Sequence, residues 1–212
     1  MEAIERNFLS NDWITLLFIV AIMLLALMKL YKPKRLYGYF VAFFAQGFIE
    51  KRAEENPSFF SPFHLLLFSF SMIIITIAGY SLLTFFNIQQ NFWVFSSLLT
   101  GVVIYYIIKI ALNQALAYIF DIEEDIRYFL FTKNGYLYTL SLWLFPLLII
   151  HLYWLKSPVL LLWVVMIISL FRGFLILLNN KKIVFRKLFY FILYFCTLEL
   201  APLLILYKTI NK

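Results

Sequence analysis

The chain is short of charge, of glycine and proline, and of cysteine, and each shortage excludes something. Charged residues make up 14% of its 212 residues, well below the roughly one quarter of a soluble domain. Six glycines and six prolines leave no flexible linker or low-complexity tract. No internal repeat is visible, so residues 1–212 read as a single integral membrane domain. A lone cysteine, Cys196, excludes an internal disulfide. Catalytic signatures are missing too: there is no H-E-x-x-H, G-x-S-x-G, P-loop or G-x-G-x-x-G pattern.

What the chain has instead is apolar surface, 64% of its residues, gathered into long runs. Six runs are near the roughly 20 residues needed to cross a bilayer as a helix: about Asn11–Leu30, Pro62–Phe86, Phe92–Asn113, Gly135–Leu155, Pro158–Leu178 and Phe185–Tyr207. Helix is the form that satisfies every backbone group within the span. The expected fold is therefore an all-α polytopic membrane bundle. The first run follows Glu2, Glu5 and Asp12 with only Arg6 positive, and no small-x-small pattern ends it, so it reads as a retained span rather than a signal peptide.

Charge alternates between the connections. The first, third and fifth carry twelve basic residues, including Lys29, Lys32, Lys34, Arg35, Lys51 and Arg52 in the first, against four on the opposite side. By the positive-inside rule these three connections are cytoplasmic and both termini face outward. The formal charge of +7 thus belongs to orientation and anionic headgroups rather than to nucleic acid. Within the first connection, Leu36–Ile49 is apolar, too short to cross, and bracketed by Arg35, Lys51 and Arg52. It suits an interfacial amphipathic helix on the cytoplasmic leaflet, in preference to a re-entrant hairpin broken at Gly47. The third span has no Gly or Pro to stop it after Lys109, so the helix is expected to project into the cytoplasm and present Asp121, Glu123, Glu124 and Asp125.

Inside the spans, Glu199 stands out. It lies in an otherwise apolar run, with Pro202 less than one turn away. A carboxylate in lipid needs a partner or a job. Ile192, Cys196, Glu199, Pro202 and Leu206 share one helix face, and Pro202 leaves the Leu198 carbonyl without its usual donor. An interhelical lock, a partner-subunit contact, and transport or catalysis all remain open for Glu199. Arg172 and His151 are the candidate partners within the chain. Arg172 also suits snorkelling to headgroups beside Gly173, and Lys109 reads the same way. His64 is expected to titrate at the inner interface. The two histidines fall on opposite sides, which argues against a shared metal. The Asp121–Asp125 cluster could hold Mg²⁺ on a phosphorylated lipid, although pairing with Lys181, Lys182, Arg186 and Lys187 accounts for it better. Cys196 has no neighbouring base and reads as packing.

The stretch from Phe189 to Lys208, with Cys196-Thr197-Leu198-Glu199 followed by Pro202, resembles the C-terminal span of an uncharacterised family of polytopic inner-membrane proteins from Bacteroidota. The resemblance implies a bacterial inner-membrane location and no particular reaction, and it marks Cys196, Thr197, Glu199 and Pro202 as a unit. The expectation is a non-enzymatic accessory or scaffold subunit of an inner-membrane complex for envelope biogenesis or protein export. Its partners would be lipid and other membrane subunits, with no cofactor and no metal. The cytoplasmic docking residues would be Asp121, Glu123, Glu124, Asp125, Arg35, Lys51 and Arg52. The alternatives are a proton- or ion-coupled transporter using Glu199 and a Mg-dependent lipid-modifying enzyme using Asp121 and Asp125.

Overall fold

Two helices begin at the dipeptide Ser-Pro, and the reason is local. Serine supplies a capping oxygen, and proline at the first helical position surrenders only an N–H that had no helical partner. In the computed structural model Pro62 opens one helix after Ser61, and Pro158 opens another after Ser157. The carbonyls of Ser61 and Ser157 accept from Leu65 and Leu161 N–H. The structure describes residues 12–45, 47–54, 61–83, 91–119, 123–155 and 157–179, with backbone only for 12, 114–119, 123–127, 177 and 179.

Among these residues the chain is all helical. The order is α1 (Asp12–Tyr31), α2 (Pro33–Val41), α3 (Phe48–Glu54), α4 (Pro62–Leu83), α5 (Phe92–Ile119), α6 (Glu123–Ile150) and α7 (Pro158–Asn179), with a π-helical turn at His151–Leu155 continuing α6. Five segments are long and apolar enough to cross a membrane: Trp13–Tyr31, Pro62–Leu83, Phe92–Asn113, Tyr128–Leu155 and Pro158–Ile176. They correspond to the first five expected spans. The sixth, Phe185–Tyr207, lies outside the described residues.

Burial ranks the helices. α4 and α6 bury 56% and 61% of their span residues, whereas α5 and α7 bury 6% and 11%, so α4 and α6 form the centre. The two ends differ in chemistry. At one end Trp13 packs edge-on against Tyr80 and Phe92 and lies tilted against Phe95, and Thr15 Oγ1 meets Tyr153 Oη at 2.7 Å. Exposed Trp93 and Trp154 belong to this aromatic end. At the other end, Lys29 lies in the last turn of α1, Lys32 follows it, Lys34 and Arg35 open α2, and Lys51 and Arg52 lie in α3. Hydroxyls inside the bundle bond back to their own helix: Thr76 to the Met72 carbonyl, Thr139 to Gly135 and Ser141 to Leu137. That local pairing removes the cost of burying them.

Two expectations are corrected. The segment Leu36–Ile49 is not one interfacial helix. It folds into α2, a turn at residues 42–45, and the start of α3, with Gly47 in the left-handed region at φ +94° between them. Glycine enters that region without the steric cost a Cβ would bring. The acidic cluster is not presented by the end of the third span either. The described part of α5 ends at Ile119, and Glu123, Glu124 and Asp125 open α6, where carboxylates favour the positive end of the helix dipole. Asp121 lies outside the described residues. α6 thus starts twelve residues before the expected Gly135, because the charges of that stretch, at a bundle end, do not interrupt a helix.

The α2–α3 hairpin is seated by two missing side chains. The Phe48 ring lies where a Cβ on Gly38 would be. A Cβ on Gly135 of α6 would sit 2.7 Å from Ile49 Cγ2. The hairpin therefore packs backbone-close to itself and to α6. Gly38→Ala and Gly135→Ala should each lower stability by about 1–3 kcal/mol through overpacking, read as a lower midpoint of thermal unfolding in detergent. Gly101→Ala, with nothing near its Cβ, should leave the midpoint unchanged or raise it.

Candidate functional site

The polar groups of the described structure converge where the hairpin meets the bundle. Ser61, at the N-terminus of α4, receives the His64 backbone N–H on Oγ at 3.5 Å. Its hydroxyl hydrogen is then free for the His64 ring, and Oγ lies 2.6 Å from Nδ1. The other ring nitrogen, Nε2, faces Tyr39 Oη of α2 at 3.3 Å. His64 is only 4% exposed and Tyr39 1%. Phe131 of α6 stands edge-on to the His64 ring, while Phe63 stacks on Tyr39 and Phe48 and Tyr138 meet it edge-on. Burial pushes the Tyr39 hydroxyl well above its ordinary pKa, opposed in part by the charges of Arg52 and Arg35. Tyr39 therefore remains a neutral hydroxyl. The aromatic rings and both ring contacts take His64 out of solvent.

The far side of the hairpin is held by an indole. Trp143 Nε1 donates to the Phe40 carbonyl at 3.0 Å, the Phe40 ring stacks on Trp143 with centroids 5.0 Å apart, and Phe44 meets it edge-on. The neighbouring carbonyls are satisfied by the turn itself. Tyr39 accepts from Ala42 N–H, and Val41 accepts from Phe44 and Ala45 N–H. Phe43 packs edge-on against Phe171 of α7. The hairpin is thus fixed to α4, α6 and α7 together. On its solvent side, burial and then the neighbouring Glu54 charge raise the Glu50 pKa.

The intramembrane candidates separate. Arg172 Nη2 donates to the Lys133 carbonyl of α6 at 3.2 Å. His151 is buried in the π-helical turn after Pro146, and its Nδ1 has no hydrogen-bond partner among the described residues. Lys133 and His151 are eighteen residues apart on one continuous helical segment, roughly 27 Å at 1.5 Å per residue. The two therefore mark opposite ends of the bundle, and so do His64, beside Phe131, and His151. Among the described residues no three His, Cys, Asp or Glu side chains group as a metal site. Lys109 turns back along α5, with Nζ 3.2 Å from Tyr105 Oη and over its ring. Glu199, Pro202, Cys196 and Thr197 lie outside the described residues.

Sequence reading missed the clamp for a simple reason. Tyr39 and His64 are 25 residues apart, and Phe40 and Trp143 are 103 apart. No periodic pattern links either pair. The only local signal was Ser61-Pro62 followed by His64, a capped helix start with an imidazole one turn inside.

A family model described as "Domain of unknown function (DUF4271)" matches residues 14–210, so the chain belongs to this family of uncharacterised domains. Neither a curated protein nor a solved structure matches it.

Removing one partner of a buried pair should cost more than the pair contributes, because the other partner is left unsatisfied. Tyr39→Phe, which removes the hydroxyl facing His64 Nε2, and an indole-removing Trp143→Phe, which takes the donor from the Phe40 carbonyl, should each destabilise by about 1–3 kcal/mol, measured by thermal unfolding. Glu50 has the opposite sign. A carboxyl whose folded pKa is raised opposes folding once it ionises, so its cost appears as pH rises. Glu50→Gln should raise the midpoint at neutral pH and lose that advantage at pH below about 4, where both side chains are uncharged.

Proposed function

We propose that this protein is a non-enzymatic accessory subunit, a scaffold that presents a fixed surface at the basic end of its helix bundle. The observation that carries the reading is how the polar groups there are used. Ser61, His64, Tyr39, Trp143 and Arg172 hold backbone or one another across helices. Their hydrogen bonds immobilise the hairpin, and the charged groups of α3, Lys51 and Glu54, are left exposed on its outer side. A rigid, charged, solvent-facing edge over a self-bonded interior suits recognition of another protein rather than chemistry on a small molecule.

The finer parts of the reading follow the charge distribution. By the positive-inside rule, the end carrying Lys29, Lys32, Lys34, Arg35, Lys51 and Arg52 faces the cytoplasm, with exposed Trp93 and Trp154 at the opposite interface. With a sixth span at Phe185–Tyr207, both termini face outward. The membrane is a bacterial inner membrane, as the resemblance of the C-terminal span implies, and the complex serves envelope biogenesis or protein export. The acidic start of α6 adjoins the same end and extends the docking edge.

Purification at native abundance in a mild detergent is the test. A stoichiometric companion protein is expected. A photo-crosslinker placed at Lys51 or Glu54 should join it, and Gly38→Ala should lose it while the protein remains inserted. A chain that purifies alone, with Lys51 and Glu54 crosslinking to no protein, overturns the proposal.

A further inference from the structure

We infer that α2 and α3 form a re-entrant hairpin, whose tip at residues 40–45 is immersed in the lipid leaflet at the basic end of the bundle. The occupant of its outer face is the bilayer itself. Four observations lead there, and none depends on the partner proposed above.

Depth comes first. α3 meets α6 at Gly135, through Ile49, while the end of α2 meets α6 at Trp143. Eight residues of α6 separate these levels, a rise of about 12 Å, and Trp143 lies well inside the apolar span Tyr128–Leu155. The nine residues of α2 extend about 13 Å, close to the roughly 15 Å of one leaflet's hydrocarbon.

The backbone accounting agrees. Helix ends leave carbonyls unpaired, and at membrane depth such groups are tolerated only where protein satisfies them. The last three carbonyls of α2, those of Tyr39, Phe40 and Val41, have donors within the chain, and one of the donors is a side chain from a spanning helix. A surface turn bathed in water has no need of the indole.

The outer face is apolar. Tyr37 is 70% exposed, Phe44 72% and Phe40 41%, and the fourteen residues from Leu36 to Ile49 include no charge. Large aromatic side chains turned outward at that level match acyl chains rather than water.

Charge marks where the hairpin leaves the lipid. Lys32, Lys34 and Arg35 precede the apolar stretch, and Lys51 and Arg52 follow it. Charge therefore sits at the open end of both legs: cations alone on the α2 leg, just after α1 ends its span at Tyr31, and Lys51 and Arg52 between Glu50 and Glu54 on the α3 leg. The cations of the α2 leg complement anionic headgroups above hydrocarbon.

Single cysteines in a Cys196→Ala background test the inference, in inverted membrane vesicles, with a membrane-impermeant and a lipid-soluble maleimide. Both Phe44 and Lys51 are exposed, and Phe44→Cys gives up one ring contact, with Trp143, while the Trp143–Phe40 bond that seats the hairpin remains. Phe44→Cys should react with the lipid-soluble reagent and lose reaction with the impermeant one until the membrane is dissolved. Lys51→Cys should react with both. Impermeant labelling of Phe44→Cys as fast as that of Lys51→Cys would place the hairpin in water and overturn the inference. Protection of Phe44→Cys from both reagents would mean protein, not lipid, covers the tip, and overturns it equally. Tyr37→Cys provides an independent second position, with the same outcomes expected.

Discussion

A peptide carbonyl away from water must find a donor within the protein, and the architecture at the basic end follows from that demand. α2 ends where it points its last carbonyls toward the middle of a spanning helix. Three of them would be costly there without partners. The tight turn answers two, and the Trp143 indole answers the third at 3.0 Å. That one bond sets where α2 sits on α6, and so where Tyr39 meets His64 and where Phe43 meets α7.

Close approach is the second requirement, and small residues provide it. Ridges of large side chains keep helix axes apart. The hairpin instead lays Phe48 over Gly38 and Ile49 over Gly135, gaining dispersion contacts without a backbone shift. The aromatic cage around Tyr39 and His64 completes the seal. Polar atoms thus define orientation, while apolar contact supplies most of the attraction.

Much of this bundle was legible in the sequence because spanning helices advertise themselves. Long apolar runs placed five of the described helices, and two of the expected starts, Pro62 and Pro158, are the observed ones. The start of α6 was hidden because Arg127 and Lys133 looked like a loop, although charges at a bundle end do not stop a helix. The hairpin was half legible: the break at Gly47 was considered, but a charge-bracketed apolar segment fits a surface helix equally well. Its choice between the two depends on Trp143, a hundred residues away. His64 looked like an interfacial group because its cage is assembled from three other helices. Glu199, the feature the sequence emphasises most, belongs to a span outside the described residues.

The distance in sequence between Phe40 and Trp143, 103 residues, sets an order of events during biosynthesis. At roughly 5–20 residues per second, the hairpin leaves the ribosome about 5–20 s before α6 supplies the indole, the Gly135 notch and Tyr138. Over that interval its last carbonyls have no donor from α6, so the stable place for an apolar segment flanked by cations is the headgroup layer, where water can pair them. Until then the hairpin lacks the bond that seats it on the bundle. Synthesis of α6 converts it to the seated form, which makes this segment one that folds last although it is made early.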